Sequence, residues 1–132
     1  GAFVAGLDAG KIYNTWPKMN EKWIAESVYA MTPFWKNFTE GLAGIQFVHR
    51  TLAFIILILV IYFYKSAKKI NLEKKDMYAV NTVSIIVLLQ IFFGILALIN
   101  SVPIWLGSIH QILAFLLLAT SVYCVFIFKK TV

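Results

Sequence analysis

Three stretches of this chain leave it few choices. Residues 45–64 read IQFVHRTLAFIILILVIYFY, residues 79–100 read AVNTVSIIVLLQIFFGILALIN, and residues 104–128 read IWLGSIHQILAFLLLATSVYCVFIF. Arg50 is the only formal charge in all three. A run of about 20 apolar residues matches the hydrocarbon core of a bilayer. Lipid offers the backbone no hydrogen bonds, so an isolated span of that kind must be a helix. Only 14% of the chain is charged, against about a quarter in a soluble domain. The fold class to expect is an all-α polytopic membrane protein.

The charges cluster at the ends of these runs, and membrane topology explains them better than nucleic acid does, despite a net charge of +6. Residues 65–78 carry Lys65, Lys68, Lys69, Lys74 and Lys75 against Glu73 and Asp76, and Lys129 and Lys130 follow the last run. Basic loops stay on the inner side. The reading is therefore an inner basic loop at 65–78 and an inner C-terminus at 129–132, with an outer connection at 10–44 and an outer turn at 101–103. The outer connection holds Trp16, Trp23 and Trp35, which suit a membrane–water interface. Residues 23–31 are expected to form a short interfacial helix. Residues 1–9 read as the outer end of a membrane helix whose earlier part would lie upstream, so the architecture is a four-helix transmembrane bundle with its first helix truncated. The lone Cys124 allows no intrachain disulfide and reads as a small buried hydrophobe.

This topology gives meaning to an echo. His49 opens HRTLAF, and sixty-one residues later His110 opens HQILAF; these are the chain's two histidines. Both runs enter from the outer side, and at 1.5 Å per residue both imidazoles lie about 6–10 Å below that boundary. Two histidines at one depth in parallel helices either hydrogen-bond across the bundle or hold a metal. Zinc wants three or four protein ligands, and the runs offer no carboxylate and no second cysteine. Haem iron needs only two axial ligands, since the porphyrin supplies the rest. Ala53 and Ala114 lie one turn beyond their histidines on the same faces and leave room for a macrocycle, as Gly94 and Gly107 would. Arg50 is the candidate partner of a haem propionate, or else snorkels to lipid headgroups. Lys11, Lys18, Trp16 and Gln111 are weaker candidates for the same polar rim. Asn81, Thr82, Ser84 and Gln90 are read as interhelical hydrogen-bonding groups. Asp8 and Glu40 have solvated roles by default.

On residues alone the reading is a membrane protein holding a b-type haem, with a structural helix bundle as the alternative. The segments GAFVAGLDAGKIYNTWPKMN, NFTEGLAGIQFVHRTLA and VPIWLGSIHQ, in that order, resemble the C-terminal half of the haem A synthase (heme A synthase) family. The resemblance covers nearly the whole chain. It implies half of an eight-span protein, and an oxidoreductase that converts a methyl group of haem O to a formyl group, making haem A for cytochrome oxidase. It implies haem b, bound by bis-histidine ligation through His49 and His110, as cofactor in this half, and haem O as substrate of the missing half. Haem O synthase, cytochrome oxidase assembly factors, the lipid bilayer and a second copy of the protein are the partners to expect, and nucleic acid is not. The outer connection lacks the cysteine pair that some bacterial members carry, which points to the mitochondrial and alphaproteobacterial-like branch. The expected location is a bacterial cytoplasmic membrane, or else the mitochondrial inner membrane. The alternative function is a bis-histidine membrane cytochrome that only transfers electrons.

Overall fold

The computed structural model describes residues 1–70 and 72–131. It contains a five-residue helix α1 (Ala2–Gly6) and three long helices, α2 (Leu42–Lys69), α3 (Lys74–Ile99) and α4 (Ile104–Thr131). All three long helices have the length and composition to cross a membrane. Their 28, 26 and 28 residues rise to about 40 Å, roughly 10 Å more than a hydrocarbon core needs. Among the described residues there is no strand, only an isolated bridge between Met19 and Lys22. The chain is an integral membrane protein of the all-helical class.

The helices outrun the apolar stretches in the sequence. α2 continues through Lys65, Lys68 and Lys69, and α3 begins at Lys74. Lysine is a good helix former and can carry a helix beyond the membrane. The basic loop expected at 65–78 is thereby reduced to a connection at 70–73, with its lysines on the flanking helix ends; Asn71 lies outside the described residues. Of the expected inner C-terminus 129–132, Val132 also lies outside them.

Short connections make α2 antiparallel to α3, and α3 antiparallel to α4. α3 and α4 pack together most extensively and α2 packs against α3. At the Lys-rich end the core is Ala67, Ala79, Val80, Val83 and Cys124, flanked by Phe63, Tyr64 and Phe128. The burial of Cys124 matches its sequence reading. Asp76 is fully buried there with no hydrogen-bond partner on either carboxylate oxygen. It stands in the first turn of α3, where the helix dipole favours a negative charge. Much of α4 faces outward, with Ile104, Phe115 and Val125 about 70% exposed or more.

The turn expected at 101–103 is a Schellman motif. Val102 N–H donates to Ala97 C=O at 2.7 Å, and Ser101 N–H to Leu98 C=O at 3.1 Å. Ser101 sits at φ 58°, in the left-handed region where glycine usually stands, and Val102 follows at φ 55°. Gly10 makes this possible from the other side: a Cβ there would come within 2.9 Å of the Val102 side chain.

The connection between α1 and α2 is compact although it has little regular structure. It contains 3-10 turns at Ala9–Lys11, Glu26–Tyr29 and Phe34–Phe38. The helix expected over 23–31 is reduced to the second of these. Ala25 is extended at ψ 146° just before it, so Trp23 and Ile24 splay outward. Met19, Ala25, Val28 and Ala43 form a small core beneath, with Tyr13 and Phe47 against it. Fully buried Asn37 ties the third turn: its Oδ1 accepts from Met31 N–H, and its Nδ2 donates to Met31 and Phe34 C=O. Gly41 and Gly44 let the main chain at Asn37 lie directly on the start of α2. A Cβ at Gly44 would stand 2.0 Å from the Asn37 carbonyl oxygen.

Candidate functional site

The helix order brings His49 of α2 and His110 of α4 together at the end of the bundle opposite the lysines. Their ring centroids are 6.3 Å apart with planes at 78°. Both rings are half-buried. α2 and α4 also meet at the lysine-rich end, where Phe63 and Phe128 pack edge to face with ring centroids 6.1 Å apart.

His110 is held by α3. Its Nδ1 lies 2.9 Å from the Gln90 main-chain oxygen, and its Nε2 lies 3.2 Å from the Gln90 side-chain nitrogen. A carbonyl oxygen can only accept, so Nδ1 carries the proton and Nε2 keeps the lone pair. Gly94, one turn along α3, leaves room for the ring: a Cβ there would meet His110 Cε1 at 2.7 Å. The sequence reading of Gln90 as an interhelical group is what the structure shows, while Gly94, read as leaving room for a macrocycle, leaves room for the His110 ring. It did not pair either of them with His110. The same reading differs for Thr82 and Ser84, whose hydroxyls bond Tyr78 C=O and Val80 C=O on their own helix. Short hydroxyls reach the carbonyl four residues back more readily than another helix. Asn81 lines an open groove between α2 and α3.

His49 makes no hydrogen bond among the described residues and is flanked by α1, where a Cβ at Gly1 would lie 3.9 Å from its Cε1. Ala53 is partly buried and Ala114 is exposed, one turn along from each histidine. Gly107 packs against Val102.

Arg50 turns the other way. Successive helical residues differ by about 100°, so a neighbour of His49 cannot share its face. The guanidinium is buried beneath the connection, where it donates to Tyr13 C=O (2.8 Å), Thr15 C=O (3.0 Å), Lys18 C=O (3.3 Å) and Gln46 Oε1 (3.2 Å). Only its Nε lacks a partner. Gln46, one turn earlier and also buried, donates to Gly10 and Tyr13 C=O. Trp16 lies against Arg50 and stacks on Phe54. Four of the five donors of Arg50 are thus engaged, three with the connection and one with Gln46 on its own helix. Lys11 pairs with Asp8 and Lys18 lies over Trp23, while Gln111 is exposed. Gln46 was the residue that sequence reasoning missed. Its signal was a polar side chain four residues before Arg50 on the same helical face.

Chemically, two facing imidazoles can share a proton or grip a metal between them. Among the described residues no group of three His, Cys, Asp or Glu side chains could hold a metal ion. Any metal here would take two protein ligands and bring the rest with it.

Comparison with known proteins agrees with these residues. The model of COX15-CtaA, a family described as cytochrome oxidase assembly protein, matches residues 1–122. The chain is 44% identical to a protein named "Heme A synthase" from Flavobacterium psychrophilum, across 98% of this chain and 39% of that protein. It is 35% identical to the Heme A synthase of Wolbachia pipientis wMel, over 98% and 35% of the two chains. It is 38% identical to Heme A synthase COX15 of Saccharomyces cerevisiae, over 92% and 28%. The chain therefore spans at most about two fifths of the length of these relatives. No solved structure matches it. With a family model covering nearly its whole length, and the helices and histidines in the order that the motifs require, the chain belongs to the COX15-CtaA family of cytochrome oxidase assembly proteins.

Proposed function

We propose that this chain is the haem-b-holding part of a haem A synthase, with His49 and His110 as the axial ligands of the iron. The observation that carries the proposal is the 6.3 Å separation of the two rings. With metal–imidazole bonds of about 2 Å, two rings at this separation would be close enough to hold one metal ion between them once Nε2 of His110 is freed from the Gln90 amide. The donor set fits as well. Two neutral imidazoles suffice for a metal that arrives inside a macrocycle, and Ala53 and Ala114, one turn along from the histidines, are small. The Nδ1 of His110 lies on the Gln90 carbonyl, the kind of bond that orients a metal-binding imidazole through its other nitrogen.

Haem b supplies one-electron chemistry when bound. His49 and His110 would hold the haem, and its chemistry there would be electron relay. The chain's own residues hold the ligands at a fixed depth and set the tautomer of one of them. The complete protein would oxidise the methyl group of haem O in its other half and deliver haem A to cytochrome oxidase. The histidines sit near the outer face of a bacterial cytoplasmic membrane and the lysine-rich helix ends face inward.

The test is His49→Ala and His110→Ala in the full-length protein, in cells that need haem A. Loss of the low-spin b-haem spectrum together with loss of haem A is expected. A wild-type spectrum in either variant refutes the ligand assignment. Haem b bound by a complete protein that forms no haem A would favour the electron-transfer cytochrome instead.

A further inference from the structure

We infer that Gln90 and Gly94 of α3 form a seat for His110 that makes Nε2 its ligating nitrogen and tunes the iron it binds. Gln90 is a positioning residue with two opposed contacts on one ring. Its main-chain oxygen takes the Nδ1 proton at 2.9 Å, which fixes the tautomer and makes the imidazole a stronger donor. Its side-chain nitrogen donates to the lone pair of Nε2 at 3.2 Å, so the amide competes with a metal for the same nitrogen. The amide is weakly held otherwise, because its Oε1 is buried without a partner. Gly94 is the element that allows ring and carbonyl to meet, since a Cβ would lie 2.7 Å from Cε1 and 3.1 Å from Nδ1. His49 has no such seat, so the two ligands are unequal. This inference rests on the haem-ligation reading and extends it to α3, which supplies no ligand.

The test uses the full-length protein purified with its haem. Gly94→Ala pushes the ring off the carbonyl. The ferric form then loses about tenfold relative to the ferrous form, and the midpoint potential rises by about 59 mV. Gln90→Leu keeps the carbonyl and removes the amide. The midpoint stays where it was, and haem transfers to apomyoglobin about tenfold more slowly. Wild-type potentials in Gly94→Ala, or faster haem loss in Gln90→Leu, overturn the seat. Should Gly94→Ala fail to accumulate, proton ENDOR on the wild-type ferric haem, with labelled histidine, decides the matter. A strongly hydrogen-bonded Nδ1 proton on His110 supports the seat, and its absence overturns it. His110→Gly separates the two levels. If it abolishes the low-spin spectrum while the α3 variants behave as wild type, the seat falls and ligation stands. If the spectrum survives in His110→Gly, both fall.

Discussion

Gly44→Ala should destabilise the protein although helix propensity favours it. Alanine within a helix is better than glycine by up to about 1 kcal/mol, and Gly44 lies inside α2. The structure reverses the sign. A Cβ at this position would stand 2.0 Å from the Asn37 carbonyl oxygen and 2.7 Å from its carbon, against about 3.5–4.0 Å for an ordinary contact. The obstacle is main chain and cannot rotate away. Segment 34–38 must move off α2, and it is pinned by the three hydrogen bonds of buried Asn37. Overpacking costs about 1–3 kcal/mol, and each strained bond about 1 kcal/mol more. Against the propensity gain, the net loss is about 2–4 kcal/mol. Thermal denaturation of the full-length protein in detergent measures it, with limited proteolysis of the outer connection as the local readout. Gly6→Ala is the control, because nothing lies within 4 Å of its Cβ, and it should be neutral. If Gly44→Ala is as stable as wild type with the connection equally protected, the close approach of Asn37 to α2 is refuted.

Ser101→Gly should stabilise by about 1 kcal/mol, because it relieves a left-handed residue at the end of α3; a raised denaturation midpoint checks this. Arg50→Lys should behave nearly as badly as Arg50→Ala, since an ammonium cannot reach the carbonyls of Tyr13, Thr15 and Lys18 together. Faster cleavage within residues 13–18 is the readout. The exposed Lys22–Glu26 pair has a pH window that can be stated in sign. The Lys22 hydrogen bond and charge hold Glu26 below the usual carboxylate range, and Glu26 holds Lys22 above the usual lysine range. The Glu26 contribution is lost as pH falls through its lowered value, and the Lys22 contribution as pH rises through its raised one. Both groups are fully solvated, so Glu26→Gln should leave the denaturation midpoint unchanged while the Lys22 ammonium titrates earlier by NMR.

The long helices were legible in the sequence because one physical constraint, satisfying a backbone in lipid, acts locally on each apolar run. The histidine pair was legible because helix direction and rise convert sequence position into depth. The seat for His110 was not, since it depends on the rotation of α3, which periodicity does not fix in a helix apolar all round. The carbonyl contacts of Arg50 were not legible for a related reason. Its position suggested an ionic partner, but the carbonyls that engage it come from an irregular segment with no pattern of its own. The glycines of GLAG could be seen without being understood, because a close approach has two sides and the sequence shows one.

The grip of α2 on the outer connection also bears on how the chain is made. The carbonyls of Gly10, Tyr13, Thr15 and Lys18 converge on Gln46 and Arg50. The ribosome delivers those carbonyls first and their donors some thirty residues later. The connection therefore cannot reach its final shape as it emerges. It stays without those donors until the start of α2 has been made. Its final shape therefore depends on a helix rotation that turns Gln46 and Arg50 of α2 toward it.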